Sequence, residues 1–215
     1  MADGYPEHPI FPLGTVLFPD GQLPLRIFEP RYLDMVSTCL SGNSPFGVCL
    51  IRAGREVGVP ATPFRIGTMA HIVDWDRTPE GLLAILAVGS GRFRLHETRV
   101  RADQLLVGRC EPIDEPATPV PTEYAALEGV LRRLMEGAPE VYAKVPRRPG
   151  DAWWLGYRLA EILPLPATRR QHLLELDDPL ARLEEIARIL RALELTRGSS
   201  SASREVGSEE PDGEN

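Results

Sequence analysis

The chain has 215 residues, 43% of them hydrophobic, with 24 basic and 31 acidic side chains and a formal net charge of −7. That length and apolar content support one packed domain or two small ones. The acid excess removes any overall electrostatic drive toward nucleic acid or an anionic membrane.

The start, MADGYPEHPIF, has neither a basic n-region nor an apolar h-region, and the longest apolar run, Leu82–Val88, is far too short to span a bilayer. A soluble cytoplasmic protein is expected. Cys39, Cys49 and Cys110 are odd in number and lack a CxxC spacing, so they read as reduced, buried small hydrophobes.

Val16–Phe18 and Leu23–Ile27 are short apolar runs around Pro19-Asp20-Gly21, a turn sequence, and together they predict a hairpin. Pro24 marks its second strand as an edge or a bulge. Pro30 takes the favoured first helical position, and Leu33, Val36 and Leu40 recur at helical spacing until Gly42-Asn43. Strand-like runs follow at 46–51, 65–75, 82–88, 92–100 and 104–113, with Pro79-Glu80-Gly81 and Gly89-Ser90-Gly91 as hairpin turns. Residues 1–113 are therefore expected to be mostly antiparallel β with one inserted helix.

A proline-rich connector, 114–121, separates this half from a stretch of 3.6-residue period. Thr122–Glu136 reads as a helix with Leu127, Leu131 and Leu134 inward. Asp151–Leu163 reads as a second with Asp151 as its cap, and Ala167–Leu176 as a third. Asp178-Pro179 opens a fourth, with a stripe of Leu180, Leu183, Ala187, Leu190 and Leu193. The expected fold is α+β, with a β domain over 1–113, helices over 122–197 and a disordered acidic tail over 198–215.

Signs of catalysis are few. Of the 24 basic residues only Lys144 is a lysine, and VYAKVP has neither the glycines nor the hydroxyl of a phosphate-cradling loop. Ser90 in GSG lacks the GxSxG spacing of a nucleophile elbow, and a serine–lysine dyad would have to use Lys144. His8, His71, His96 and His172 are scattered without metal-ligand spacing. Asp178 reads as a helix cap, and Glu184-Glu185 as a solvated face.

Strict alternation in RFRLH puts Arg92, Arg94 and His96 on one strand face, with Arg99, Arg101, Arg52 and Arg55 as possible neighbours. Such a face is one route to RNA, although a solvated sheet face paired with acids is the plainer reading. Trp153 and Trp154 are helix neighbours that cannot both face one core direction. One of them, together with Trp75, is therefore expected to be partly exposed or to sit between the two halves, packing between the halves being the default.

The strings HPIFPLGTVLFPDGQLPLRIFEPRYLDMV, FGVCLIRAGREVG, RIGTMAHIVDW and LLAILAVGSGRFRL resemble the N-terminal, substrate-binding domain of ATP-dependent Lon proteases, in its stand-alone bacterial form. WWLGYRLAEILPLP and HLLELDDPLARL extend the resemblance over roughly residues 8–196. It implies a PUA-like β pseudo-barrel followed by a helical bundle, in a chain that stops where the ATPase and peptidase domains of full-length Lon begin.

The implied function is non-enzymatic recognition of unfolded or flexible polypeptide, as an adaptor in protein quality control beside a protease or chaperone. No cofactor, metal or membrane enters that expectation. Arg26, Phe28, Glu29, Arg31 and Tyr32, where strand meets helix, and Trp75, Trp153 and Trp154 are the candidate contact residues. The alternatives are RNA binding through Arg92, Arg94 and His96, which the acidic charge disfavours, and a hydrolase whose site is not visible.

Overall fold

The computed structural model describes residues 4–142 and 145–205, so Lys144 and the tail from 206 to 215 lie outside the described residues. Its β half comprises β1 Glu7–Leu13, β2 Gln22–Ile27, β3 Phe46–Ala53, β4 Thr62–Pro63, β5 Ile66–Arg77, β6 Leu83–Val100 and β7 Leu106–Pro112, with α1 Pro30–Gly42 between β2 and β3. The sheet runs β1-β7-β6-β5-β3-β4, and β1 also pairs with β3 in parallel, so five of the strands close on themselves.

The hairpin expected around Pro19–Gly21 does not form. Instead, β2 pairs antiparallel with β6, from Gln22 opposite Val88 to Ile27 opposite Leu83. Val16–Phe18 is buried but forms no ladder, because its apolar side chains are drawn onto the helices. Phe18 is fully buried, with its ring 5.8 Å from that of Tyr157. The turn residues clasp β6: the Asp20 amide donates to the Gly89 carbonyl at 2.9 Å, and the Gly89 amide to that of Gly21 at 2.9 Å.

Gly89-Ser90-Gly91, by contrast, is not a turn. It lies inside one continuous strand, at the point where β6 exchanges β2 for β7 as its neighbour. A Cβ on Gly89 would stand 2.4 Å from the Phe18 carbonyl oxygen, so glycine is required here by close backbone approach. Thr78–Leu82 does form the expected turn between β5 and β6, closed by a 2.8 Å bond from the Gly81 amide to the Thr78 carbonyl.

Helix α1 starts at Pro30 and ends at Asn43 in the left-handed conformation, φ 44°. Its buried face is Tyr32, Met35, Val36 and Cys39, whereas Leu33 and Leu40 are 37% and 38% exposed. The Tyr32 ring, stacked 3.9 Å from Phe11, sets this rotation.

The helical half begins with a single 3₁₀ turn at Thr122–Tyr124, followed by α2 Ala125–Glu136, α3 Pro139–Tyr142, α4 Ala152–Ile162, α5 Ala167–Glu175 and α6 Pro179–Glu205. Asp151 caps α4, accepting from the Trp153 and Trp154 amides at 2.9 and 3.4 Å. Asp178 caps α6 at the Leu180 amide. The α6 backbone is helical past residue 197, where the sequence reading placed its end.

Helix α4 is buried on every side from Ala152 to Ala160, with α2, α5 and α6 packed around it. Trp153 and Trp154 therefore point in different directions and are both buried, at 5% and 8% exposure. Neither reaches solvent, because this helix has no solvent side, and Trp153 takes the other expected place, between the halves, beside Arg92 of β6. One core cluster joins these helices to Val16, Phe18, Leu50 and Ile66 of the β half. A second lies under α1, and a third, with Ile10, Phe93 and Leu95, lies inside the closed strands.

Candidate functional site

The sequence offers a polypeptide-contact set and, as an alternative, a basic sheet face; the structure divides their residues between two joints and the exposed surface. The first joint is built from arginines. Arg92 on β6 is 2% exposed. It donates to Glu115 of the connector at 2.5 Å and to the Leu174 and Leu176 carbonyls at 2.7 and 3.1 Å.

Its guanidinium lies 5.1 Å from the Trp153 ring centre, and Arg182 from α6 lies 4.9 Å from the same ring. Arg182 also donates to the Leu173 carbonyl at 2.7 Å and crosses Tyr157 at 4.4 Å. Gly156 makes room for it, since a Cβ there would meet the Arg182 Cδ at 2.9 Å. Arg158, fully buried, reaches the Pro19 carbonyl at 2.5 Å and pairs with Glu161. Burial pulls the Arg182 guanidinium down to about 10 and lifts the Tyr157 phenol well above its ordinary value.

This network joins the sheet to the helices, and so Arg92 is not free to meet RNA. Arg94 pairs with Glu111 and Asp177 at 3.8 and 3.9 Å. His96 is bonded to Glu111 at 2.8 Å and stacked on Tyr5. Arg99 and Arg101 are taken by Glu7 and Asp103, while Arg52 and Arg55 lie exposed. The alternation of RFRLH was read correctly, but its consequence is a buried joint at one end and paired surface charge at the other.

The start of α1 forms the second joint. Arg31, 6% exposed, pairs with Glu29 at 2.7 Å, donates to the Gln104 carbonyl at 3.1 Å and lies over the Tyr32 ring at 4.7 Å. Arg31 and Tyr32 fix the helix to the barrel and offer little to a ligand.

Of the proposed set Trp75, Phe28 and Arg26 remain exposed, and Val73 and Leu82 are exposed apolar side chains that sequence reasoning did not name. Trp75 is 58% exposed, Phe28 56% and Val73 57%, with Leu82 at 37%. Trp75 stands near the end of the sheet where β2 runs out into Phe28 and β6 begins after Leu82, and Val73 lies at the irregularity between Ile72 and Asp74. Trp75 stands opposite Ile85, which stands opposite Leu25, and Arg77 stands opposite Leu83, which stands opposite Ile27. Directly paired residues share a sheet face, so Trp75 belongs to the face covered by α1 but lies beyond that helix's cover. Arg26, also exposed, points to the opposite face. Large apolar side chains exposed on and beside the strands in this way suit contact with apolar polypeptide.

Sequence reasoning missed Glu115, Arg158 and Arg182. Their signal was present: WWLGYRLAEIL and DPLARL set arginines among apolar residues, where a buried charge calls for a partner. Cys39, Cys49 and Cys110 are buried free thiols, and burial pushes Cys110 up to about 12. Among the described residues no group of His, Cys, Asp or Glu is placed to hold a metal ion, and no helix is long and apolar enough to cross a membrane.

The model of the ATP-dependent protease La (LON) substrate-binding domain matches residues 7–192. The Lon protease of Dictyoglomus thermophilum is 27% identical over 213 residues, covering 94% of this chain and 26% of that protein. The chain thus spans about a quarter of the length of such relatives. Among solved structures, a Lon N-terminal domain protein from Xanthomonas campestris superposes with a TM-score of 0.72 at 36% identity, covering 85% of this chain and 98% of that one. The N-terminal domain of a Mycobacterium avium complex Lon protease, at 20% identity, 84% and 96% coverage and a TM-score of 0.59, shares the fold.

Proposed function

The chain belongs to the family of Lon substrate-binding domains, and from that membership we propose that it recognises unfolded or flexible polypeptide and performs no chemistry on it. The contact surface in this reading is the exposed end of β2, β5 and β6, carrying Trp75, Val73, Phe28 and Leu82. Arg26, on the opposite face of β2, lies outside this surface. The carrying observation is the exposure of Trp75: Trp153 and Trp154 are buried in the joint, and Trp75 stands in solvent.

The closed course of the strands supports the PUA-like pseudo-barrel reading of the β half, and the helices around α4 support the bundle reading. An adaptor role in protein quality control, delivering clients to a protease or chaperone, completes the proposal. Arg92 is buried in the joint, so nothing favours the RNA reading over this one.

Tryptophan emission tests the proposal directly, because Trp75 is the accessible fluorophore. A tryptophan-free unfolded polypeptide should protect the quencher-accessible part of the emission from acrylamide, and the same polypeptide in a folded form should not. Quenching unchanged at saturating polypeptide would overturn the assignment.

A further inference from the structure

Strand β5 is longer than the strand beside it. β3 pairs with it only from Thr68 to Ala70, whereas β6 pairs with it as far as Arg77. Among the described residues no strand adjoins the outer edge of Ile72–Arg77, and Val73 to Arg77 are all exposed. An edge of this kind presents alternate amides and carbonyls to any extended chain.

Here the outward amides are taken by the strand's own carboxylates. The Trp75 amide donates to Asp74 Oδ1 at 2.9 Å, and the Arg77 amide donates to Asp76 Oδ1 at 2.7 Å. Two donors, two residues apart, are closed by two consecutive Asp-X pairs. A carboxylate only accepts, so this capping leaves the carbonyls that the same residues turn outward without a donor from the caps.

We infer that the outer edge of Ile72–Arg77 is a strand-addition site for an extended polypeptide, held closed in the free protein by Asp74 and Asp76. An incoming strand replaces each carboxylate with a backbone carbonyl and supplies the amide donor that the caps lack. The displaced Asp74 and Asp76, with Glu80 at the neighbouring turn, outnumber Arg77 on this segment. The partner that fits is therefore a segment alternating apolar residues with lysine or arginine, its apolar side chains against Trp75. Closure by aspartate keeps the edge from pairing with a second copy of the chain, whose edge carries the same charges.

This inference rests on the polypeptide-binding reading and adds the mode of contact. The test is amide hydrogen exchange by NMR on the whole protein, with and without a soluble peptide alternating valine and lysine. The Trp75 and Arg77 amides are expected to exchange at least tenfold more slowly in the complex, and a peptide methylated at every backbone nitrogen is expected not to bind.

Binding that leaves these two amides unchanged, or equal affinity for the methylated peptide, overturns strand addition while leaving recognition through the Trp75 face intact. No binding of the alternating peptide, in a protein whose Trp75 emission is still shielded by unfolded polypeptide, also overturns the inference alone. A concentration-dependent dimer protected at the same amides overturns the choice of occupant.

Discussion

Arg92 of the sheet and Trp153 of α4 are stacked across the boundary between the two halves, guanidinium to ring centre 5.1 Å. Arg92 is thus a structural fastener, and its removal has a calculable effect. Arg92→Ala takes the guanidinium from Glu115, which keeps its bond from the Tyr157 hydroxyl, and strips the Leu174 carbonyl of its donor. The expected loss is about 3 kcal/mol or more. For a chain of this size that lowers Tm by roughly 6–12 °C, measurable by calorimetry. Arg92→Lys should recover little, because one ammonium cannot reproduce the forked contacts.

The tryptophans should separate into two classes. Trp153→Ala opens the joint and should cost about 3–5 kcal/mol. Trp75→Ala, at an exposed position, should change stability by no more than about 0.5 kcal/mol. Chemical denaturation distinguishes them. Equal losses would mean that Trp75 is a core residue after all.

Acid should loosen the N-terminal strand. Bonds from Tyr5, then His96, hold the Glu111 carboxyl below its ordinary range, and Arg99 does the same for Glu7. A carboxylate depressed by folding stabilises the protein above its unfolded value, and that stability is lost as pH falls through the folded value. Tm should therefore decline as pH drops below about 4. Glu111→Gln should reduce the decline in that window and leave a lower Tm at neutral pH. An unaltered pH profile in the variant would contradict the assignment.

Cys49 and Cys110 share the core inside the closed strands, and burial raises both thiols. Their reaction with a disulfide reagent at neutral pH should be limited by opening of the barrel and should accelerate with denaturant. Rapid modification of the native protein would show that the barrel opens readily.

Much of this fold was legible because local signals agreed. The Asp151 and Asp178 caps, Pro30 at the start of α1, and the change from two-residue to 3.6-residue period at the connector each depend on neighbouring residues alone. The errors arose where distant contacts decided. Pro19–Gly21 is a turn, closed from the Gly21 amide to the Phe18 carbonyl, but it joins no hairpin, and Gly89–Gly91 is no turn at all; both bear glycine where the two backbones clasp each other. Burial of both Trp153 and Trp154 depended on α4 being surrounded, which periodicity within one helix cannot reveal. Trp75 and Phe28 were found from composition, but their placement near one end of the sheet follows from the pairing of β2 with β6, which local sequence does not encode.

The central claim is that this exposed end binds polypeptide, and fluorescence anisotropy of a labelled, permanently unfolded polypeptide is its most direct measure. Titration of the wild-type protein and the Phe28→Ala/Trp75→Ala variant, at low and moderate salt, should show binding that survives salt and weakens about tenfold or more in the variant. Affinity that is unchanged in a folded variant, or that vanishes with salt, would contradict the account.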